Sequence, residues 1–208
     1  MQRTDPDTGH AHDLALLGHG AVFGEMALLD PAPRMASAIA QDHVSCIVIN
    51  AAIFRSQSQK LPPLGLNLLR ALIRTQRHHA YGADLREKID QHFDQPKLHV
   101  EAMSRCEFDA NQVIYRPGDR ADGIYLILDG AIELRQRENG GWRHYRSLSH
   151  DEVFGGAEVL ASTPRHFEAR AAQFSHCIFM SKAQIHEILA QSPKFMSGLI
   201  RIYAAHSS

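Results

Sequence analysis

The 208-residue chain has few cysteines, one tryptophan and no marked excess of charge of either sign. Its three Cys favour buried, reduced thiols over a disulfide framework or a metal site. Its 22 Lys and Arg residues and 23 Asp and Glu residues give a formal net charge of -1. Because the sequence also lacks a block rich in Lys and Arg, we do not expect duplex DNA to be a direct partner.

Long apolar runs are also missing, and so are the usual catalytic motifs. The amino terminus is polar and no stretch approaches the length of a membrane span, which predicts a cytoplasmic protein without a membrane partner. No His-Glu-x-x-His, Gly-x-Ser-x-Gly or Walker sequence occurs, so we expect no enzyme activity. His10, His12 and His19 lack a zinc-like spacing with other ligands, which favours a solvated hairpin and no bound metal.

Residues 23–40 contain the pattern of an anion-binding turn. Gly24 allows a tight turn and a close backbone approach, and the following residues can form one helical turn before Pro31 and Pro33 end it. Arg34 follows Gly24 by ten residues and carries a planar, permanent positive charge suited to a phosphate. Glu25 supplies a carboxylate that can accept hydrogen bonds from hydroxyl groups. One phosphate and one ribose would satisfy both side chains.

The order and spacing of these residues resemble the phosphate-binding cassette of the cyclic nucleotide-binding domain family. The matching residues are Phe23, Gly24, Glu25, Leu28, Pro33, Arg34 and Ala36. The resemblance implies that Glu25 holds the ribose 2'-hydroxyl and Arg34 the cyclic phosphate, with help from backbone N–H groups near Met26 and Ala36. The alternative is an ordinary strand-turn-strand with a surface Glu and Arg.

The same pattern recurs 131 residues later without a gap. This offset places Phe23 on Phe154, Pro33-Arg34 on Pro164-Arg165, Cys46-Ile47 on Cys177-Ile178, Pro62 on Pro193 and Arg70 on Arg201. A constant register over tens of residues predicts two copies of one fold. The equivalent Cys46 and Cys177 would then point into two different cores.

The resemblance implies a mainly β protein with helices, built from two jelly-roll domains. We expect an incomplete first domain at residues 1–80, a helical connector at 81–107 and a complete second domain at 108–208. The first copy begins in mid-barrel because Met1 corresponds to Ile132, so the chain is expected to be a fragment or to have a misassigned start.

Local patterns predict the main elements of both copies. Strands are expected at residues 13–17 and 44–49 in the first copy, and at 112–115, 123–129, 131–137, 142–148 and 177–180 in the second. Helices are expected at 83–93, 97–106 and 184–205. A further helix should follow Pro62-Pro63 with an apolar stripe of Leu64, Leu68, Leu69, Leu72 and Ile73, and end near residue 78. In the family this helix packs on the barrel, lids the base or forms a homodimer; it could equally bury its stripe on its own domain.

The second cassette departs from the family pattern. Its ligand-contacting positions would be Gly155, Gly156, Arg165 and His166, but Gly156 stands where the ribose-binding glutamate is expected. Phe167 replaces a small residue, and Glu158 lies two positions too late to be assumed equivalent. Loss of a charged hydrogen bond weakens binding by about ten- to a hundredfold. We expect a weak or non-binding repeat.

The sequence therefore predicts a regulatory protein that binds a cyclic mononucleotide and relays binding to an unknown output protein by repacking of helices. Cyclic AMP is favoured over cyclic GMP because Met35 follows Arg34 where guanine-selective relatives have a Thr hydroxyl. Two alternatives stay open. One is a degenerate, nucleotide-free interaction module, and the other is a piece of a larger transcription factor, channel or enzyme.

Overall fold

The computed structural model describes residues 1–4, 10–13, 16–29, 34, 36–81, 104–205 and 207. The chain divides into two compact units. One consists of Met1–Gln59 with Arg77–Gln95, and the other of Lys60–Gln76 with Pro96–Ser208. Among the helices within the described ranges, none has the length and apolar character needed to cross a bilayer.

The described part of the first unit up to Gln59 contains a short hairpin and two helices. Strands β1 (Gln2–Thr4) and β2 (Ala11–Asp13) are antiparallel, and they are followed by α1 (Met26–Leu29) and α2 (Ala51–Ser58). The Asn50 side chain caps α2 by accepting a 2.9 Å hydrogen bond from the N–H of Ile53. Leu29 of α1 and Phe54 of α2 are buried.

The prediction of an apolar strand at residues 44–49 is wrong. No strand forms there, Ile47 and Val48 are 94% and 88% exposed, and Cys46 is exposed as well. The equivalent strand of the second unit, Ser175–Ser181, pairs with one strand on each side. The described residues of the first unit contain no strand that pairs with residues 44–49. The strand expected at 13–17 also differs, because β2 ends at Asp13 and Leu16 is exposed.

The second unit contains two four-stranded antiparallel sheets, which confirms the predicted mainly β fold. Its strands are β3 (Ser104–Phe108), β4 (Val113–Tyr115), β5 (Gly123–Asp129), β6 (Ile132–Glu138), β7 (Gly141–Leu148), β8 (Val153–Phe154), β9 (Glu168–Ala171) and β10 (Ser175–Ser181). The sheet orders are β3-β10-β5-β8 and β4-β9-β6-β7. Apolar residues alternate inward from both sheets. The core consists of Tyr115, Ile127, Ile132, Leu134, Leu148, Phe154, Ala169, Ala171 and Cys177.

The Cys177 thiol lies in this core, as the sequence predicted. It is fully buried, and Cys106 on β3 is its register partner across the sheet. Burial, which disfavours the thiolate, raises the pKa of Cys177 to about 12. Cys177 is therefore an inert packing residue, in contrast to the exposed Cys46.

The expected helix at 184–205 is two helices. The short α4 (Gly156–Ala161) lies between β8 and β9. After β10 the chain forms α5 (Lys182–Gln191) and α6 (Lys194–Ala204). Pro193 separates α5 from α6, since proline lacks the N–H that a continuous helix needs. Ser181 and Gln184 form a capping box at the start of α5.

The offset of 131 residues also relates helices of the two units. Helix α2 begins at Ala51, and the next helix, α3 (Pro63–Tyr81), begins at Pro63. Their counterparts at this offset are Lys182 and Lys194, the first residues of α5 and α6. The sequence analysis missed α2 but placed the start of α3 correctly.

The first part of α3 packs within the second unit. The stripe residues Leu68, Leu69, Leu72 and Ile73 are buried. The N–H of Val153 donates a 2.8 Å hydrogen bond to Thr75 Oγ1, and Arg74 forms an ion pair with Asp151. The division into units places residues 60–76, which include the stripe, in the second unit, whereas the sequence predicted them in a first domain at 1–80. The helix also continues past residue 78, where the pattern predicted its end.

The expected helical connector differs from the structure at its carboxyl end. Strand β3 begins at Ser104, within the stretch 97–106 that was expected to be helical. Its backbone pairs with β10 along the whole strand, and this tertiary pairing outweighs local helix propensity. The expected helix at 83–93, and the rest of the connector from 82 to 103, lie outside the described residues.

We expect Thr75→Val to lower the free energy of unfolding by about 1–3 kcal/mol, because the buried N–H of Val153 would lose its acceptor. Thr75→Ser keeps the hydroxyl and should cost less than half as much. Urea unfolding followed by circular dichroism measures both values. Equal losses for the two variants would contradict the role of this hydrogen bond.

Candidate functional site

The first cassette is a turn closed by an arginine. Gly24 has a left-handed backbone with φ of +80°, and its carbonyl accepts a 3.4 Å hydrogen bond from Nη1 of Arg34. A Cβ at Gly24 would lie only 2.6 Å from this nitrogen. Glycine is therefore required both for the conformation and for the close approach of the guanidinium.

The side chains expected to contact a ligand differ in exposure. Glu25 is buried directly before α1, whereas Arg34 is exposed and Ala36 is half-buried. Met26 is the first residue of α1, and Met35 lies outside the described residues. The structure thus brings Gly24, Glu25 and Arg34 to one turn and leaves the cation open to solvent.

The second cassette repeats the backbone of this turn. Gly155 has φ of +77°, and its carbonyl accepts a 2.6 Å hydrogen bond from Nη1 of Arg165. A Cβ at Gly155 would lie 2.4 Å from that nitrogen. The same donor and acceptor, ten residues apart, therefore close both turns.

Arg165 differs from Arg34 because it is buried among protein groups. Its Nη2 donates a 2.5 Å hydrogen bond to the carbonyl of Gly123, and its guanidinium carbon lies 4.2 Å from the ring centroid of Tyr115. The carboxylate of Glu158 lies 3.8 Å from Nη1. Both members of this ion pair have side chains that are only 2% exposed. Protein groups thus contact Nη1, Nη2 and the face of the guanidinium, whereas Nε is buried without a hydrogen-bond partner among the described residues.

Glu158 also contacts the residue that follows the arginine. Its Oε1 accepts a 3.4 Å hydrogen bond from the backbone N–H of His166 and lies 3.5 Å from His166 Nδ1. Sequence reasoning assigned Glu158 no role. Comparison of the two copies could have indicated a role for Glu158, because the equivalent residue of the first copy is Ala27. A buried carboxylate at position 158 and a methyl group at position 27 indicate that these equivalent positions have different environments in the two cassettes.

Gly156 occupies a position with no room for a side chain. A Cβ there would lie 2.2 Å from Oγ of Ser207 and 3.0 Å from the carbonyl oxygen of Ala204. The N–H of Gly155 also donates a 3.0 Å hydrogen bond to the Ser207 carbonyl. Ala204 and Ser207 therefore lie where a glutamate at position 156 would project.

Aromatic residues support the second cassette from the core side. Tyr115 is buried beneath Arg165, and burial, opposed in part by the arginine charge, raises the pKa of its hydroxyl. Phe167 stacks on Tyr145 with ring centroids 4.3 Å apart and packs against the core. Phe167 therefore has a packing partner in the sheet.

A second buried carboxylate lies on β9, just after the cassette. Burial alone would raise the pKa of Glu168, but hydrogen bonds from Arg135 and Arg170 outweigh this effect and lower the pKa. Arg135 also lies over the ring of Trp142, 5.3 Å from its centroid, and Arg137 lies 4.9 Å from it. In the described part of the chain, no group of three or more His, Cys, Asp or Glu residues forms a potential metal site.

Comparison with known proteins gives one family. The model described as the cyclic nucleotide-binding domain matches residues 2–60 and 105–192. The cAMP-dependent protein kinase regulatory subunit of Dictyostelium discoideum is 25% identical over 177 residues, which cover 81% of this chain and 50% of that protein. Lysophospholipase NTE1 of Chaetomium globosum is 32% identical over 97 residues, which cover 43% of this chain and 6% of that protein.

One match is a solved structure. The cyclic nucleotide-binding-like protein from Brucella abortus bv. 1 str. 9-941 is 22% identical, with a TM-score of 0.42. The match covers 59% of this chain and 97% of that one. The present chain spans half or less of the length of the two curated relatives described above.

We expect Glu168→Gln to lower the free energy of unfolding at pH 7 by about 1.5–3 kcal/mol, because it removes charged hydrogen bonds from two arginines. The folded-state pKa of Glu168 is depressed, so its contribution is complete above the ordinary carboxyl pKa of about 4.3 and is lost as the pH falls through the lower, folded-state value.

The difference in the free energy of unfolding between the natural chain and Glu168→Gln should therefore shrink as the pH is lowered from 5 to 3. Urea unfolding across this range measures it. Glu138→Gln is the matched control, since its ion pair with Arg143 is exposed and is worth about 0–1 kcal/mol. A pH-independent difference for Glu168→Gln would contradict the assignment.

Proposed function

Since the chain belongs to the cyclic nucleotide-binding domain family, we propose that it is a regulatory protein that binds a cyclic mononucleotide through its first cassette, with cAMP favoured over cGMP. The observation that carries this proposal is the turn that holds Gly24, the buried Glu25 and the exposed Arg34 together. The relative from Dictyostelium discoideum, a cAMP-dependent kinase regulatory subunit, supports the choice of ligand class.

The chemistry of the turn suits a cyclic phosphate joined to a ribose. Arg34 uses one nitrogen to hold the Gly24 carbonyl, and its solvent-exposed guanidinium still carries donors for phosphate oxygens. Glu25 follows Gly24 directly in sequence, and its carboxylate can accept hydrogen bonds from a sugar hydroxyl. Binding without chemical transformation is proposed, because the sequence contains no His-Glu-x-x-His, Gly-x-Ser-x-Gly or Walker motif.

The second cassette is proposed to bind nucleotide weakly or not at all. Its arginine is buried against protein groups, and Gly156 offers neither a carboxylate nor space for one. The contrast between the exposed Arg34 and the buried Arg165 supports the proposal that the first copy senses the ligand and the second has a structural role.

The output is proposed to pass through helices α2 and α3, which follow the first cassette along the chain. The first part of α3 packs within the second unit, so a change in α3 would alter contacts to β8 through Thr75 and Val153. The output protein is unidentified, and α3 is also the proposed contact if the chain forms a homodimer. We further propose a cytoplasmic location, no enzyme activity and no direct contact with DNA or membranes.

The second candidate function is a nucleotide-free interaction module. The exposed apolar side chains of Ile47 and Val48 favour it, because such a patch is typical of a docking surface. Calorimetric titration with cAMP and cGMP separates the two functions, since the interaction module would bind neither nucleotide.

We expect Arg34→Ala to weaken cyclic nucleotide binding by about a hundredfold or more, because the phosphate loses its fixed cation. Glu25→Gln should weaken it by about ten- to a hundredfold through the ribose hydroxyl. Isothermal titration calorimetry with both nucleotides gives these values. Arg55→Ala removes an equal charge from an exposed position of the same unit and should leave affinity unchanged. Unaltered affinity in Arg34→Ala would remove the cassette assignment.

A further inference from the structure

The two cassettes carry their acidic residue at different positions. In the first copy the sequence has Glu25 and Ala27, and the equivalent positions of the second copy have Gly156 and Glu158. Each cassette therefore keeps one carboxylate within the same short segment, shifted by two residues. The first carboxylate is placed for a sugar hydroxyl in the proposed function, whereas the second contacts the cassette arginine.

The contacts of Glu158 are those expected of a bound anion. One carboxylate oxygen lies 3.8 Å from Nη1 of Arg165. The other accepts a 3.4 Å hydrogen bond from the N–H of His166 and lies 3.5 Å from Nδ1 of the same residue. A guanidinium and the backbone N–H that follows it are the groups that the proposed function assigns to a ligand phosphate in the first cassette, at Arg34 and near Ala36.

We propose that Glu158 is a built-in anion that takes the place of a ligand phosphate in the second cassette. The second domain then keeps its cassette closed without a nucleotide and is selective against cyclic nucleotides. This inference rests on the proposed function, because it takes the cassette arginine as the phosphate-binding group.

Charge and space both oppose a second anion at this position. Arg165 and Glu158 compensate each other inside the protein, where an added phosphate would leave two anions beside one cation. Displacement of Glu158 would require a new environment for a carboxylate that is now almost fully buried. On the sugar side, Ser207 and Ala204 fill the volume next to Gly156. Protein groups thus replace both halves of the ligand.

The test uses the full chain with the first site disabled by Arg34→Ala. Inorganic phosphate and cAMP are titrated by calorimetry into this variant and into the double variants Arg34→Ala/Glu158→Ala and Arg34→Ala/Glu158→Gln. Neutralising Glu158 should strengthen the binding of phosphate by about tenfold or more, because Arg165 would need a new counter-ion. Arg34→Ala/Glu187→Ala removes the same charge from an exposed position on α5 and should gain no phosphate binding.

The reverse change tests the idea in the first cassette, independently of the folding of the second. Ala27→Glu copies Glu158 and should weaken cAMP binding to the otherwise natural chain by about tenfold or more. Ala27→Gln is matched in size but uncharged, so its effect should be clearly smaller. Circular dichroism checks that each variant is folded.

Three results would overturn the inference. One is binding of cAMP by Arg34→Ala as tight as the natural chain's, which would show an open second cassette. Another is a pair of folded Glu158 variants with no gain in phosphate or cAMP affinity. If both Glu158 variants fail to fold, unchanged affinity in Ala27→Glu is the deciding negative result. Failure of the natural chain to bind cAMP or cGMP would instead contradict the proposed function, and a gain of phosphate binding in the Glu158 variants would still support the inference.

Discussion

The buried guanidinium of Arg165 is the interaction on which the second domain depends. It joins the carbonyls of Gly155 and Gly123, the ring of Tyr115 and the carboxylate of Glu158. These groups come from the cassette turn, from β5, from β4 and from α4. A buried cation is costly unless its charge is paired, so these contacts hold three segments together: the cassette turn with α4, β5 and β4.

The first unit uses the same arginine-to-glycine link, but its arginine is exposed. Arg34 holds the Gly24 carbonyl at 3.4 Å and is exposed, whereas Arg165 holds the Gly155 carbonyl at 2.6 Å and is buried. One local motif thus has two physical consequences. A solvent-exposed guanidinium retains hydrogen-bonding capacity for a ligand, whereas a buried guanidinium paired with a carboxylate holds its own domain together. Burial, rather than the motif itself, distinguishes the two copies.

Sequence reasoning predicted the elements whose pattern is local and missed those that depend on distant neighbours. The family resemblance and the alternation in β5 predicted β4, β5, β6, β7 and β10 of the second unit, whereas β3 lies partly in a stretch expected to be helical. The apolar run around Ile47 has the pattern of a strand, but a strand requires a paired neighbour, and none is present in the described part of the first unit. The shift from Ala27 to Glu158 was visible in the sequence, whereas the contact of Ser207 with Gly156 arises only from folding.

The position of Trp142 gives the molecule an internal spectroscopic label. It is the only tryptophan of the chain, it belongs to the second unit, and the guanidinium groups of Arg135 and Arg137 lie near its ring. Indole emission responds to nearby charge, whereas the cassette proposed to bind nucleotide belongs to the first unit. A change in tryptophan emission when that cassette is saturated would therefore report energetic coupling between the units. An unchanged emission spectrum at full occupancy would show that the surroundings of Trp142 do not respond to the ligand.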